Sequence, residues 1–392
     1  MCAASLHWTG PDGQPAHALW RSEAGVPAHQ KVVLADDTMP ANTAYKLACE
    51  GTALLWQGDF QNARHLLQAL TRRLAPPAGR AASKGKGSKG KQPPEPVNAG
   101  QAFNQHRQNL AHRARILGML LIPFETDHTI PLRRAPDVKQ ACEEAYGAAS
   151  EPYVASLREL LGLIGAHEWR KKGVAIEALK GKGSGRIHAH YGVFSPVRGE
   201  YVDLVQQAPL PAGVQDAVDV GTGSGVLAAV LASRGIARIT ATDQDARALA
   251  CAKENLHRLK LDKQVKVIEA DLFPPGQAPL IVCNPPWLPA RPSSPIEYAV
   301  YDPDSRMLRG FLAGLKAHLT PGGEGWLIMS DLAEHLGLRG PDTLQGWIKD
   351  AGLRVVGKLD ARPRHPKTQD ASDPLHQARA AEVTSLWRLA AA

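Results

Sequence analysis

A glycine-rich turn, Asp219–Gly225, stands between an apolar run typical of a strand and a segment typical of a helix. Glycines allow a turn to adopt positive φ and let a ligand approach the backbone, and the following helix offers unpaired N–H groups. The spacing is G-x-G-x-G, whereas dinucleotide-binding enzymes usually carry G-x-G-x-x-G. The turn therefore predicts a nucleotide-like ligand, and a tight turn without any ligand is the alternative.

Three acidic residues accompany the predicted strands. Asp219 precedes the turn, Asp243 ends the second predicted strand, and Asp271 ends the third. A carboxylate at the position of Asp243 can accept hydrogen bonds from ribose hydroxyls. Asp271 can receive an adenine amino group, and Asp219 can reach an amino group directly or orient the turn. Any one of them could be a helix cap, but three acids at consecutive strand ends favour a binding site.

Asn284-Pro285-Pro286-Trp287 follows the fourth predicted strand and so lies at the same carboxyl edge of the sheet. Prolines fix φ and remove backbone donors, so the Asn284 amide oxygen and the Pro285 carbonyl form a pair of acceptors. Such a pair suits an NH₂ group with a delocalised lone pair, because accepting both hydrogens stabilises the developing positive charge. Trp287 offers a flat stacking face. The alternative is a Pro-Pro strand end with Trp287 in the core.

The order of these motifs resembles that of class I S-adenosylmethionine-dependent methyltransferases over residues 190–331. The branch with release-factor glutamine methyltransferases and ribosomal RNA guanine and adenine methyltransferases is the most similar. The segment 194–205 looks like the one that these enzymes place before the first strand, over the cofactor. Two departures concern the substrate: the glutamine methyltransferases typically have Tyr where Trp287 stands, and their upstream segment reads differently from residues 195–198.

The resemblance implies S-adenosyl-L-methionine as the cofactor and an N-methyltransferase that acts on a planar amine or amide nitrogen of a macromolecule. The substrate stays open between a protein glutamine and adenine or guanine in RNA or DNA, with the ribosome or another translation component as a candidate partner. The candidate catalytic residues are Asn284, Pro285, Pro286 and Trp287. The candidate cofactor-binding residues are Asp219, Gly221, Thr222, Gly223, Ser224, Gly225, Asp243, Asp271 and Asn284.

Alternating strand and helix patterns after Pro211 predict the scaffold that positions these residues. Such alternation indicates βαβ units and a parallel sheet. Two further strands at the C-terminus, separated by a proline-containing loop, fit a closing antiparallel pair. We therefore expect a Rossmann-like α/β fold, and the resemblance implies seven strands with the last one antiparallel.

The first half of the chain has a different pattern of apolar residues. Apolar spacings of three and four predict an αα-hairpin within residues 41–74, and further helical stripes follow residue 101. Between them lies a stretch rich in Pro, Gly and Lys, in which Lys84, Lys86, Lys89 and Lys91 could touch phosphates or simply be solvated. The predicted division is a helical region over 1–74, a linker over 75–100, a second helical region over 101–185 and a methyltransferase domain over 186–392.

Net charge, cysteine spacing and the length of apolar runs limit the kinds of protein that this chain can be. The net charge of +8 suits an anionic partner such as RNA or a ribosomal surface. The five cysteines contain no CxxC pair, so we expect neither a disulfide scaffold nor structural zinc; His188 and His190 lack a third metal ligand. No apolar run is long enough for a membrane span, and no signal peptide is evident, so cytoplasmic localisation is the expectation.

Three other functions remain as alternatives. A nicotinamide-dependent oxidoreductase would share the glycine turn, although its spacing and the NPPW element speak against that class. A non-catalytic module could bind RNA through the linker lysines and keep a vestigial cofactor pocket. A methyltransferase of a small-molecule amine would use the same motifs.

Overall fold

The protein forms two compact units, Met1–His167 and Glu168–Ala392. The boundary between the units lies before residue 186, where the sequence predicted the methyltransferase domain to begin. The predicted linker over 75–100, with its four lysines, falls almost entirely outside the described residues. The structure is a computed structural model, and it describes residues 4–75, 98–292, 295–364, 370 and 373–392.

The first unit is built on a mixed sheet. Its strands in the described residues are β1 (Ser5–Thr9), β2 (Pro15–Trp20), β3 (Lys31–Ala35), β4 (Thr52–Trp56), β5 (Leu120–Phe124) and β6 (Tyr153–Ser156). Their order is β1-β2-β6-β5-β4-β3. Strands β3, β4 and β5 run parallel to one another, whereas β5 and β6 are antiparallel. β2 pairs with β6 in parallel and with β1 antiparallel.

Helices pack around this sheet. They are α1 (Ala41–Cys49), α2 (Phe60–Leu74), α3 (Ala99–Leu117), α4 (Lys139–Tyr146) and α5 (Leu157–Lys172). The core that α1 and α3 share with the sheet contains Ala48, Ile116, Leu55 and Leu121. The sequence-based expectation of a mainly helical N-terminal region is therefore wrong in architecture, because the helices cover a six-stranded sheet.

The predicted αα-hairpin is wrong because β4 lies between its two helices. All five residues of β4 are buried, so the strand presents a continuous apolar run with no alternation. A buried run of this length cannot be told from a helix segment by periodicity alone. The same ambiguity hid β6, whose four residues are also buried and lead directly into α5.

The second unit carries a seven-stranded sheet in the described residues, with the order β11-β10-β9-β12-β13-β15-β14. A separate two-stranded pair, β7 (Val174–Ala175) and β8 (Arg186–Ile187), precedes it. The strands of the large sheet are β9 (Asp216–Val220), β10 (Arg238–Asp243), β11 (Val265–Glu269), β12 (Ala278–Cys283), β13 (Leu319–Ser330), β14 (Leu353–Ala361) and β15 (Thr384–Ala391).

Strand directions confirm the predicted Rossmann-like sheet. The first five strands are parallel, and β15 runs antiparallel to both β13 and β14. The helices of this unit are α6 (Glu200–Gln207), α7 (Val226–Ser233), α8 (Ala246–Arg258), α9 (Arg306–His318), α10 (Leu332–His335), α11 (Thr343–Asp350) and α12 (His376–Ala381). Helix α7 is buried over seven successive residues, as expected for a helix that packs in a core.

The strand order reverses between β9 and β12. From β9 the chain moves outward through β10 and β11, and it then returns to the other side of β9 with β12. In open α/β sheets, ligands bind at the carboxyl ends of strands at such a switch point. Cys283 and Val220 are register partners at these ends, so Asn284 and Gly221 are the next residues of the two neighbouring strands.

Asn255 on α8 ties the segment before the sheet to the glycine turn. Its side chain is fully buried, and its amide oxygen accepts from His188 N at 2.8 Å. Its amide nitrogen donates to His188 O at 3.2 Å and to Ser224 O at 3.0 Å. One side chain therefore satisfies three backbone groups from two segments.

Among the described residues, we find no helix that combines the length and the apolar character of a membrane span.

Replacing Asn255 with Leu should destabilise the second unit by about 2–4 kcal/mol, because it leaves the buried Ser224 carbonyl and the partly buried backbone groups of His188 without these partners. Native-state hydrogen exchange of the β9 amides measures this loss in the second unit itself. The exposed Asn104→Leu is the control and should change these amides little. Equal protection in Asn255→Leu and the unaltered protein would show that the tie is dispensable.

Candidate active site

The glycine turn fills the gap between β9 and α7. Gly221 has a φ of 69°, and Gly225 precedes α7 with a φ of 80°. A Cβ atom at Gly221 would collide with the terminal methyl of Met307, and one at Gly225 would meet Ala252 Cα at 3.2 Å. Both positions therefore require glycine for conformation and for space.

Asp219 lies beneath this turn and is almost fully buried, with 1% of its surface exposed. Its Oδ2 accepts from the Thr222 hydroxyl at 2.6 Å and from Ala228 N at 3.0 Å. Burial raises the pKa of Asp219 to about 6, and the nearby Asp243 adds to the rise, while the two hydrogen bonds oppose it. Of the two roles considered from the sequence, these contacts fit orientation of the turn.

Asp243 is the last residue of β10, and its carboxylate meets the turn from the side. Oδ2 accepts from Gly223 N at 3.0 Å, and Oδ1 accepts from Asp245 N at 3.0 Å. Burial raises the pKa of Asp243 above its ordinary value, and these backbone bonds counteract the rise. A carboxylate has about four acceptor sites, so each oxygen keeps one for a further donor. This arrangement fits a vicinal diol such as that of ribose.

The other residues that the sequence predicted to bind the cofactor differ in their exposure to solvent. Asp271 lies two residues beyond the end of β11, and its side chain is 72% exposed, 4.0 Å from Arg306. Thr222 and Ser224 are buried. The Thr222 hydroxyl is bound to Asp219, and the Ser224 carbonyl accepts from Asn255. Asp271 is thus accessible to a ligand, whereas the Thr222 hydroxyl and the Ser224 carbonyl hold the turn in place.

The NPPW element leaves the end of β12 beside the turn. The Trp287 indole N–H donates to Asn284 Oδ1 at 3.0 Å. Pro285 is buried, whereas Asn284, Pro286 and Trp287 are half-buried. Trp287 packs against hydrophobic clusters on both faces of the sheet, so part of its ring belongs to the core. The sequence treated packing and ligand stacking as alternatives for this ring, and the structure shows the packing.

Asp302 is a residue that the sequence analysis missed. Its two carboxylate oxygens accept from Met307 N at 3.0 Å and from Leu308 N at 3.1 Å, at the start of α9. Its own N–H donates to Leu288 O at 2.8 Å, next to the NPPW element. Asp302 therefore links NPPW to the helix whose Met307 covers Gly221. The Asp-Pro pair before a helical segment, a common N-cap signal, could have revealed it.

A second missed group connects the upstream segment to the far side of the sheet. Arg198 Nη2 lies 3.3 Å from Glu382 Oε2, and its Nε lies 3.6 Å from Glu200 Oε1. The Ser330 hydroxyl donates to Glu382 Oε1 at 2.7 Å, at the end of β13. Arg198 and Glu382 are 184 positions apart in the sequence, so no local pattern could pair them.

The two histidines considered as metal ligands have protein partners. His188 Nδ1 lies 2.7 Å from Arg170 O, and His190 Nε2 lies 2.6 Å from Glu254 Oε2. Within the described ranges, no group of three or more His, Cys, Asp or Glu residues could hold a metal ion.

Known methyltransferases are similar in sequence to part of this chain. A release factor glutamine methyltransferase of Deinococcus radiodurans is 36% identical over 160 residues, which are 38% of this chain and 54% of the relative. Ribosomal RNA small subunit methyltransferase C of Mannheimia succiniciproducens is 33% identical over 110 residues, covering 28% and 30% of the two chains. The chain therefore spans about half or less of the length of these relatives.

Among solved structures, a ribosomal protein L11 methylase from Lactobacillus delbrueckii subsp. bulgaricus is 17% identical, with a TM-score of 0.33. The similarity covers 48% of this chain and 74% of that structure.

The family model of the methyltransferase small domain matches residues 184–338, which include the glycine turn, Asp243, Asp271 and NPPW. The family implies S-adenosylmethionine as the cofactor, and the free acceptor sites of Asp243 and the open backbone at Gly223 fit its nucleoside part. Residues 184–338 therefore match the sequence pattern of the methyltransferase small domain family.

Proposed function

We propose that the chain is an S-adenosylmethionine-dependent methyltransferase that acts on a planar amine or amide nitrogen of a macromolecule. The observation that carries this proposal is the register of β9 and β12, which makes Gly221 and Asn284 the next residues of neighbouring strands. The proposed cofactor-binding and amine-binding residues consequently lie next to each other at the edge of the sheet. Short distances between reacting groups are the main requirement for direct group transfer.

Asn284 and Pro285 are the proposed acceptors for the target NH₂ group. Trp287 uses one acceptor site of Asn284 Oδ1, and a second site on this oxygen is available to a substrate N–H. The Pro285 carbonyl takes the other N–H of the substrate. With both hydrogens held, the nitrogen lone pair is drawn out of conjugation and becomes nucleophilic. The methylated nitrogen would be acidic enough to release its surplus proton to water after transfer, so no strong general base is required.

Trp287 positions Asn284 in this proposal. An indole N–H can only donate, so it fixes the oxygen end of the Asn284 amide and excludes the flipped amide. The packing of the indole ring between core clusters restricts its own movement. The amide oxygen is therefore oriented before the substrate binds.

The glycine turn and Asp243 hold the cofactor in this proposal, with Asp271 at the adenine end and Asp219 supporting the turn from below. S-adenosylmethionine supplies an electrophilic methyl group on a sulfonium sulfur. Asp243 accepts the ribose hydroxyls through the acceptor sites that Gly223 and Asp245 leave free. Met307 limits the space over Gly221.

The proposed substrate class is supported by the relatives named above, whose names refer to release-factor glutamine and to ribosomal RNA. Both targets carry a conjugated NH₂ group of the kind that NPPW suits. We extend this to a substrate in the translation apparatus, and to a cytoplasmic location.

Cofactor binding should depend on Asp243. Asp243→Ala removes two charge-assisted hydrogen bonds, so the Kd of S-adenosylhomocysteine in isothermal titration should rise about 100-fold. The exposed Asp262→Ala lies outside the site and should leave the Kd unchanged. Equal affinity of Asp243→Ala and the unaltered protein would reject the proposed cofactor site.

Methyl transfer should depend on the amide of Asn284. Asn284→Ala should lower the transfer rate about 10²–10³-fold, because the target NH₂ group loses one of its two acceptors. Trp287→Phe keeps an aromatic ring and removes only the N–H, so it should lower kcat with little change in KM. A Trp287→Phe enzyme as fast as the unaltered one would contradict the positioning role.

The assay for these variants is transfer of tritiated methyl from S-adenosylmethionine into a fractionated cell lysate. Ribonuclease, deoxyribonuclease and protease digestion of the labelled fraction then identifies the substrate class. Label in low-molecular-weight material alone would indicate a small-molecule amine instead, and a catalytically silent chain that binds RNA would indicate the non-catalytic alternative.

The charge of Asp219 should make stability depend on pH. Because its folded-state pKa of about 6 exceeds the ordinary value of 3.8, the folded state keeps a proton that the unfolded chain releases. As the pH rises from about 4 to about 7, this group should reduce the free energy of unfolding by up to about 3 kcal/mol. Asp219→Asn stays neutral, so its stability relative to the unaltered protein should improve over this range in urea titrations. A constant difference would contradict the raised pKa.

A further inference from the structure

Three helices of the first unit carry only positive charge. Helices α1, α2 and α3 pack against one another, and none of them contains an Asp or Glu residue. By contrast, α4 and α5 of the same unit contain Glu143, Glu144 and Glu159. The basic residues of the three helices are Lys46, Arg64, Arg72, Arg73, Arg107, Arg113 and Arg115.

Most of these basic residues are exposed. Arg64, Arg72, Arg73 and Arg115 are exposed. Within the part of the chain that the structure describes, Arg73 donates to the Asn42 amide oxygen at 2.7 Å, and Arg64 donates to the Gln61 amide oxygen at 3.1 Å. Neutral oxygens do not compensate a guanidinium charge, so the three helices form a positively charged surface, which we call the basic helix face.

The chemistry of the basic helix face fits a phosphodiester backbone. Helix α2 exposes Arg72 and Arg73, and α3 exposes Arg115, so the face can contact more than one phosphate. Exposed amide and imidazole groups lie among the arginines and can donate to phosphate and sugar oxygens. They are Gln101, Asn104, Gln105, Gln108, Asn109 and His112.

Other partners suit this face less well. A helix that lies in a membrane surface needs a continuous apolar side, but the exposed side of α3 offers a single large apolar residue, Leu110, which is 51% exposed. Stable protein interfaces have an apolar or aromatic centre, and α2 exposes none. A predominance of arginine over lysine also favours bidentate phosphate contacts.

We propose that the basic helix face binds the phosphate backbone of RNA. Binding on this face is independent of methyl transfer. Only the extension that the bound RNA is the methylated molecule rests on the proposed function. No base-specific group is part of the proposal, so this surface is expected to supply affinity with little sequence preference.

The test is fluorescence anisotropy of a labelled single-stranded RNA oligonucleotide with the full-length protein over a range of salt concentrations. The variant Arg72→Gln, Arg73→Gln, Arg115→Gln should raise the Kd about tenfold or more. It should also reduce the slope of log Kd against log salt by about 2, because each lost phosphate contact removes about 0.7. A matched control, Lys31→Gln, Arg158→Gln, Arg354→Gln, removes three exposed charges outside the three helices.

Retained binding in the control supports the proposal, and an equal loss in both triple variants overturns it in favour of a net-charge effect. The proposal is also overturned if changing Lys84, Lys86, Lys89 and Lys91 to Gln abolishes RNA binding while the arginine variant still binds. Binding to phosphatidylserine vesicles without RNA binding also overturns it. Thermal unfolding and S-adenosylhomocysteine titration of the arginine variant confirm folding, and Asp243→Ala should bind RNA normally, which separates this result from failure of the proposed function.

Discussion

The reversal of strand order between β9 and β12 is the constraint on which the proposed site depends. Parallel strands on either side of β9 leave their carboxyl ends at one edge, and in open α/β sheets ligands bind at the edge where the strand order reverses. The glycine turn and NPPW begin at this edge, directly after the register partners Val220 and Cys283. Asp219, Asn255 and Asp302 then fix the surrounding segments by bonding to backbone groups, so the arrangement is set by the fold before any ligand binds.

Much of the second unit could be predicted because its central strands are buried and parallel. Such strands give short apolar runs that alternate with helix-length segments, and β9 to β13 lie where these runs occur. The three acids and NPPW lie close to the ends of the predicted strands in the sequence. Predicting the strands therefore also predicted that these residues lie at the edge of the sheet. The contacts of Arg198 with Glu382 could not be foreseen, because they depend on the closing strand β15 bringing distant residues together.

The first unit shows the limit of the same reasoning. Strand β4 has five buried residues between two helices, so neither alternation nor length distinguished it from helix. Its identity depends on hydrogen bonds to β3 and β5, one of which follows it by more than sixty residues. Asn255 was missed for a related reason. A polar residue on the buried side of α8 departs from the apolar pattern of a buried helix face, and only the structure shows that His188 and Ser224 are its partners.

The hydrogen bond from Trp287 to Asn284 has a consequence for selectivity. A carboxamide has two ends of similar shape and opposite hydrogen-bonding polarity, and a free one can rotate to suit either a donor or an acceptor. The indole removes this choice in the proposed site by holding the oxygen end. A group that presents only lone pairs, such as the keto oxygen of a base, then meets an acceptor and is repelled. The enzyme would distinguish an amino group from a carbonyl of similar size by the fixed polarity of one side chain, without a change in pocket shape.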